Sequence, residues 1–107
     1  MYSGTMTPEQ HTRGMVNALR KDAHTTDRWI TERLMDDLLV NHAGMHMRTK
    51  LDAAREKGRG GWWNPDECSI EYLKDLLYEH LAKGDMRDVM NLAAMIHIRR
   101  IADEPQP

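Results

Sequence analysis

The chain has 107 residues, with Lys+Arg 15 against Asp+Glu 17 and a formal net charge of -2. That length suits one domain, near the size at which a lone hydrophobic core gives only moderate stability. So neutral a chain has no global attraction for nucleic acid or an anionic membrane surface, and no apolar run approaches the roughly 20 residues of a membrane span. A single Cys68 excludes an internal disulfide. Met1-Tyr2-Ser3-Gly4 has neither the basic nor the apolar part of a secretion signal, so the chain reads as cytoplasmic. No Phe, nine Met and few β-branched residues favour packed helices over sheets.

Thr7-Pro8-Glu9-Gln10 is a helix start: Thr7 can cap, Pro8 suits the first helical position and Gln10 can close a capping box. This predicts a first, accessory helix over residues 8–22, within an accessory segment 1–25. Its stripe of Met15, Val16, Ala18 and Leu19 is modest and weakened by Gly14. Thr25-Thr26-Asp27 offers a second cap. Ile30, Leu34, Leu38 and Met45, then Met47, Leu51 and Ala54, recur at helical spacing and predict a long helix over residues 27–57. Asn41 and Gly44 mark where it could divide, so one rod and two shorter helices are both admissible.

Gly58, Gly60 and Gly61 end that helix, and Asn64-Pro65-Asp66 with Ser69 makes a loop and the next cap. A third helix is expected over residues 70–83, burying Ile70, Leu73, Leu76, Leu77 and Leu81, with His80 on the same side. Gly84 supplies a left-handed stop and Asp85 an N-cap for a fourth helix over residues 86–101. So short a connection makes the last two helices antiparallel neighbours. The fourth is apolar nearly all round from Val89 to Ile98, which predicts a central position, and residues 102–107 are expected to fray. The expected fold is all-α: a small bundle of about four helices, an antiparallel hairpin at its core, and an oligomer.

Three groups of residues could carry chemistry. Asp85 and Asp88 share a helical face and could bind a hard divalent cation, or could simply cap the helix and complement its dipole. Glu79 and His80, at the end of the third helix, come beside them in an antiparallel hairpin. His42 and His46 are four apart, the spacing of two imidazoles on one zinc-binding face, but have no third ligand nearby in sequence; His97 could meet one of them across the bundle. Arg59 among glycines could meet a phosphate, and Trp62 or Trp63 could stack on a base. Against that, the glycines end a helix and Trp62 can fold over the hairpin as a lid, leaving Trp63 more exposed.

The order Lys50-Leu51, Gly60-Gly61-Trp62, a Leu-rich helix, then Asp85-x-x-Asp88-Val89-x-Asn91-Leu92-Ala93-x-Met95-Ile96 resembles small phage-encoded proteins of the MazG-like, all-α nucleoside-triphosphate pyrophosphatase group, over roughly residues 45–101. In that group a Glu-Glu-x-x-Glu helix and a Glu/Asp-x-x-Asp helix hold magnesium, which binds the triphosphate and assists attack by water. The resemblance implies Asp85 and Asp88 as the second half of such a set and Glu79 as the first glutamate of the other. His80 and Lys83 stand where its remaining two glutamates belong, and two lost carboxylates with an added positive charge weaken cation binding. The resemblance therefore implies shared architecture with a degenerate acidic motif.

The expected function is that of a non-catalytic phage or prophage accessory protein without a cofactor, which binds a host or phage protein and forms a homo-oligomer. Trp29, Ile30, Met35, Met45, Met47 and Trp63 are its candidate interface anchors, because Trp and Met are favoured at interfaces. The alternative is a magnesium-dependent nucleotide pyrophosphohydrolase or nucleotide-binding protein. It would use Glu79, Asp85 and Asp88 on the ion, Arg59 and Lys83 on phosphates, and Trp62 or Trp63 on the base. Nucleic-acid binding through Arg48, Lys50, Arg55, Lys57 and Arg59 is a weaker alternative, since Asp52 and Glu56 interrupt that basic edge.

Overall fold

The computed structural model describes residues 5–105; the first four residues and the last two of the expected frayed tail lie outside it. It is all-α, with α1 (Pro8–Asp22), α2 (Arg28–Glu56), α3 (Ile70–Lys83) and α4 (Met86–Asp103), and no strand among the described residues. Local hydrogen bonds explain most of these boundaries. Gln10 N–H donates to Thr7 Oγ1 at 3.1 Å and Thr7 N–H to Gln10 Oε1 at 2.9 Å, closing the capping box of α1. Trp29 N–H donates to Asp27 Oδ1 at 2.8 Å, and Tyr72 N–H to Ser69 Oγ at 3.0 Å, which starts α2 and α3 in the same way.

α2 is one uninterrupted helix through Asn41 and Gly44. His42, Ala43, Met45 and His46 are all half-buried, so packing on either side of Gly44 outweighs a propensity loss of about 1 kcal/mol. The described residues up to 46 and those from 47 on form two compact units, and α2 gives residues 28–46 to one and residues 47–56 to the other.

In the first unit α1 turns Pro8, Thr12, Val16 and Leu19 inward, and α2 turns Thr31, Met35, Leu38, His42 and His46 inward; all are half-buried. None of this unit's described residues is fully buried.

In the second unit α3 and α4 pack as an antiparallel hairpin, and Leu73 and Leu92 are the buried apolar residues. α4 is not apolar-buried all round as expected. Ala93, His97 and Ile98 are exposed, because the second half of α2, the loop and α3 cover one side of the helix only. Its buried positions include two polar residues, Asn91 and Arg99. Leu81, expected on the buried stripe, is half exposed in the last turn of α3, off the face that α4 covers. Ala102 and Asp103 are helical where fraying was expected. Arg99 Nε donates to Asp103 Oδ2 at 3.1 Å, a bond one turn long that extends α4.

Candidate functional site

The hairpin turn sets the geometry of the acidic junction. Gly84 adopts φ 77° and ψ 19°, and its N–H donates to the Leu81 carbonyl at 3.1 Å while Asp85 N–H donates to the His80 carbonyl at 3.0 Å. This Schellman pair satisfies the last carbonyls of α3 and brings His80 beside the start of α4. Asp85 then departs from expectation: it occupies the N-cap position but makes no side-chain cap bond. Its carboxylate has turned to the imidazole instead, with Oδ2 at 3.3 Å from His80 Nδ1.

Asp88 joins the same group. Its Oδ2 lies 3.5 Å from His80 Nδ1 and 3.2 Å from Lys50 Nζ on α2. The hydrogen bond from His80 holds the Asp85 carboxyl below its ordinary range; desolvation opposes this, and the positive charge of Lys50 supports it. One ligating atom each of His80, Asp85 and Asp88 fall within 4.8 Å of one another.

The implied magnesium set is only partly assembled. Asp85 and Asp88 meet, but Glu79 does not join them: its Oε1 is 3.6 Å from Lys83 Nζ, one turn along the exposed face of α3. What converges is one imidazole nitrogen, two carboxylates and an ammonium. Magnesium demands oxygen ligands in octahedral array, whereas an imidazole nitrogen suits softer divalent metals. The Lys50 ammonium already satisfies Asp88 Oδ2, so these residues do not fit magnesium. The sequence signal for the actual arrangement was the His80-to-Asp85 spacing across Gly84. Lys50 gave none beyond its basic character.

The glycine loop forms a second candidate. Arg59, Trp62 and Trp63 line a cleft of about 680 Å³ whose floor includes Leu73 and Leu92, whereas Lys83 is not among its lining residues. Trp62 is half-buried over the hairpin and Trp63 is exposed. Arg55, also on the cleft, pairs with Asp52 at 2.6 Å. Gly61 takes φ +80°, and a Cβ there would collide with the Glu67 carboxylate. The loop is fastened by a residue that sequence reasoning missed: Arg99, buried in α4, donates from Nη1 to the carbonyls of Trp62 and Cys68 at 2.8 and 2.7 Å. Its one legible signal was the Arg99–Asp103 spacing at the end of an apolar helix. Asn91 Nδ2 likewise donates to the Met47 carbonyl at 3.2 Å, tying α4 to α2.

In the first unit His42 and His46 both meet α1, and in the second unit His97 is exposed. The Thr12 hydroxyl lies 2.7 Å from His42 Nδ1 and 2.8 Å from His46 Nε2, and the ring of His11 stacks on His42 at 5.0 Å. The hydroxyl fills the space between the two imidazoles, and among the described residues the three histidines form no metal-ligating group.

Large apolar side chains lie at the surface of both units. Of the expected anchors Trp29, Ile30 and Trp63 are exposed, while Met35, Met45 and Met47 are half-buried within their own units. Leu34, Leu39 and Val40, which sequence reasoning did not single out as anchors, are exposed as well. Among the described residues no helix is long and apolar enough to cross a membrane. Comparison with protein-family models, with curated proteins and with solved structures gives no match to this chain.

Proposed function

We propose that this chain is a non-catalytic helical interaction protein that engages a protein partner through the first half of α2. One observation carries the reading. Residues 5–46 contain no buried residue, yet Trp29 is 68 % and Val40 70 % exposed. Ile30, Leu34 and Leu39 are exposed on the same segment, and exposed apolar side chains gathered on one segment point to an interaction site. The junction supports the same reading, since Asp85 and Asp88 spend their carboxylates on His80 and Lys50. The phage or prophage origin implied by the MazG-like resemblance would make the partner a host or phage protein in the host cytoplasm.

Two measurements test this. A photo-crosslinking residue at Val40 should yield a discrete protein adduct in cells, and one at Lys21 should not. The chain incubated with magnesium and a panel of nucleoside triphosphates should release no monophosphate; release that is lost in Asp88→Ala would overturn the reading in favour of a pyrophosphohydrolase.

A second reading, nucleotide binding without hydrolysis, is favoured by the meeting of Arg59, Trp62 and Trp63 on one cleft. It predicts saturable quenching of tryptophan fluorescence by ATP without magnesium, abolished in Arg59→Ala.

A further inference from the structure

Residues 5–46 form a helix pair that keeps every described residue at least partly in water. Helices owe most of their stability to the faces they bury, and this pair buries little. The inner side of α2 carries half-buried Thr31, Met35, Leu38 and His42, and His42 meets Thr12 and His11 of α1. On a different side, Ile30, Arg33, Asp37, Val40 and Gly44 recur at alternating spacings of three and four and so form a seam along one side of the helix. All five are exposed, and a Cβ on Gly44 would meet nothing within 4 Å.

We propose that the partner of this surface is a second copy of the chain, with the two α2 helices antiparallel along that seam. This rests on the interaction reading above and names its partner. The seam is self-complementary. A two-fold axis beside residue 35 sets Ile30 opposite Val40 of the other copy and Arg33 opposite Asp37, so apolar meets apolar and each guanidinium meets a carboxylate. Residues 5–46 hold five basic and six acidic residues, so two copies do not repel.

The apolar area on that side is small. Trp29, Ile30 and Val40 are exposed there and together offer on the order of 200 Å², at roughly 60–120 Å² for an aliphatic side chain and about 150–250 Å² for an aromatic one. That suits an interface at the low end of the size range, below about 1,200 Å² in total.

Light scattering and sedimentation of the full chain across a concentration series test the proposal. The wild type should weigh twice its 12.4 kDa. Arg33→Asp should weaken association at least about tenfold, the scale of one close charge pair turned repulsive, and adding Asp37→Arg should restore it. Tagged and untagged wild-type copies should co-purify, a readout independent of any variant's folding. A wild type that is monomeric at every concentration, or a dimer indifferent to both the single and the swapped variants, overturns the proposal. If the monomer exchanges its amides rapidly over residues 8–46, the surface awaits a different protein and the interaction reading survives. If the monomer is protected there and tolerates Val40→Glu, both fall.

Discussion

Arg99 Nη1 lies 2.7 Å from the carbonyl oxygen of Cys68, thirty-one residues earlier in the chain, and the same nitrogen reaches the Trp62 carbonyl at 2.8 Å. With its side chain only 4 % exposed and Nε on Asp103, this guanidinium is the rivet between α4 and the loop that carries the cleft. Removing it strands two carbonyls, while the partly exposed Asp103 carboxylate can turn to water. Arg99→Met should therefore cost about 2–4 kcal/mol in urea unfolding, since each hydrogen bond to a charged group contributes about 1.5–3 kcal/mol. Arg99→Lys should recover little, because one ammonium cannot reproduce the planar fork.

Asp85 and His80 predict a pH dependence whose sign follows from the shift. The folded carboxyl titrates below its ordinary value, chiefly because His80 hydrogen-bonds to the charged form. A depressed folded value means stabilisation that is complete above the unfolded aspartate value of about 3.9 and is lost as pH falls through the folded one. His80→Ala should move the Asp85 carboxyl titration, followed by carbon NMR, back up towards the ordinary value. The stability gap between the variant and the wild type should narrow below about pH 4, where even unfolded aspartates protonate.

Two neighbouring glycines should respond differently to alanine. Gly61 has φ +80°, which L side chains rarely adopt, and the end of the flexible Glu67 side chain would have to swing aside, whereas a Cβ on Gly60 meets nothing within 4 Å. Gly61→Ala should cost about 1–3 kcal/mol, the usual range for a strained left-handed residue, with Gly60→Ala closer to neutral. Thermal melts of the two variants side by side would check this.

Thr12 links α1 to both histidines of α2. Thr12→Val keeps the shape but removes the hydroxyl from His42 and His46, a loss of about 1 kcal/mol on the usual net value of a hydrogen bond. Amide exchange should accelerate over residues 8–22 and stay unchanged over residues 86–103.

How much was legible beforehand depended on the range of the interaction. The starts of α1 and α3 and the stop at Gly84 were readable because Thr7 with Gln10, Ser69 with Tyr72, and Gly84 with Leu81 are three residues apart. Asp85 misled for the same reason. Its local environment favoured a cap, but a half-buried imidazole one hairpin away offered the carboxylate a better partner.

By itself the sequence determined that the chain is helical, where the helices begin, and that the last two must lie antiparallel, since these follow from backbone hydrogen bonds and turns confined to a few neighbouring residues. Only the tertiary structure decided that Lys50 reaches Asp88, that Thr12 divides His42 from His46, and that Arg99 rather than an apolar residue lies at the heart of the loop contact. Periodicity states which side chains share a face; which segment comes to meet that face is set by packing between residues thirty or more apart.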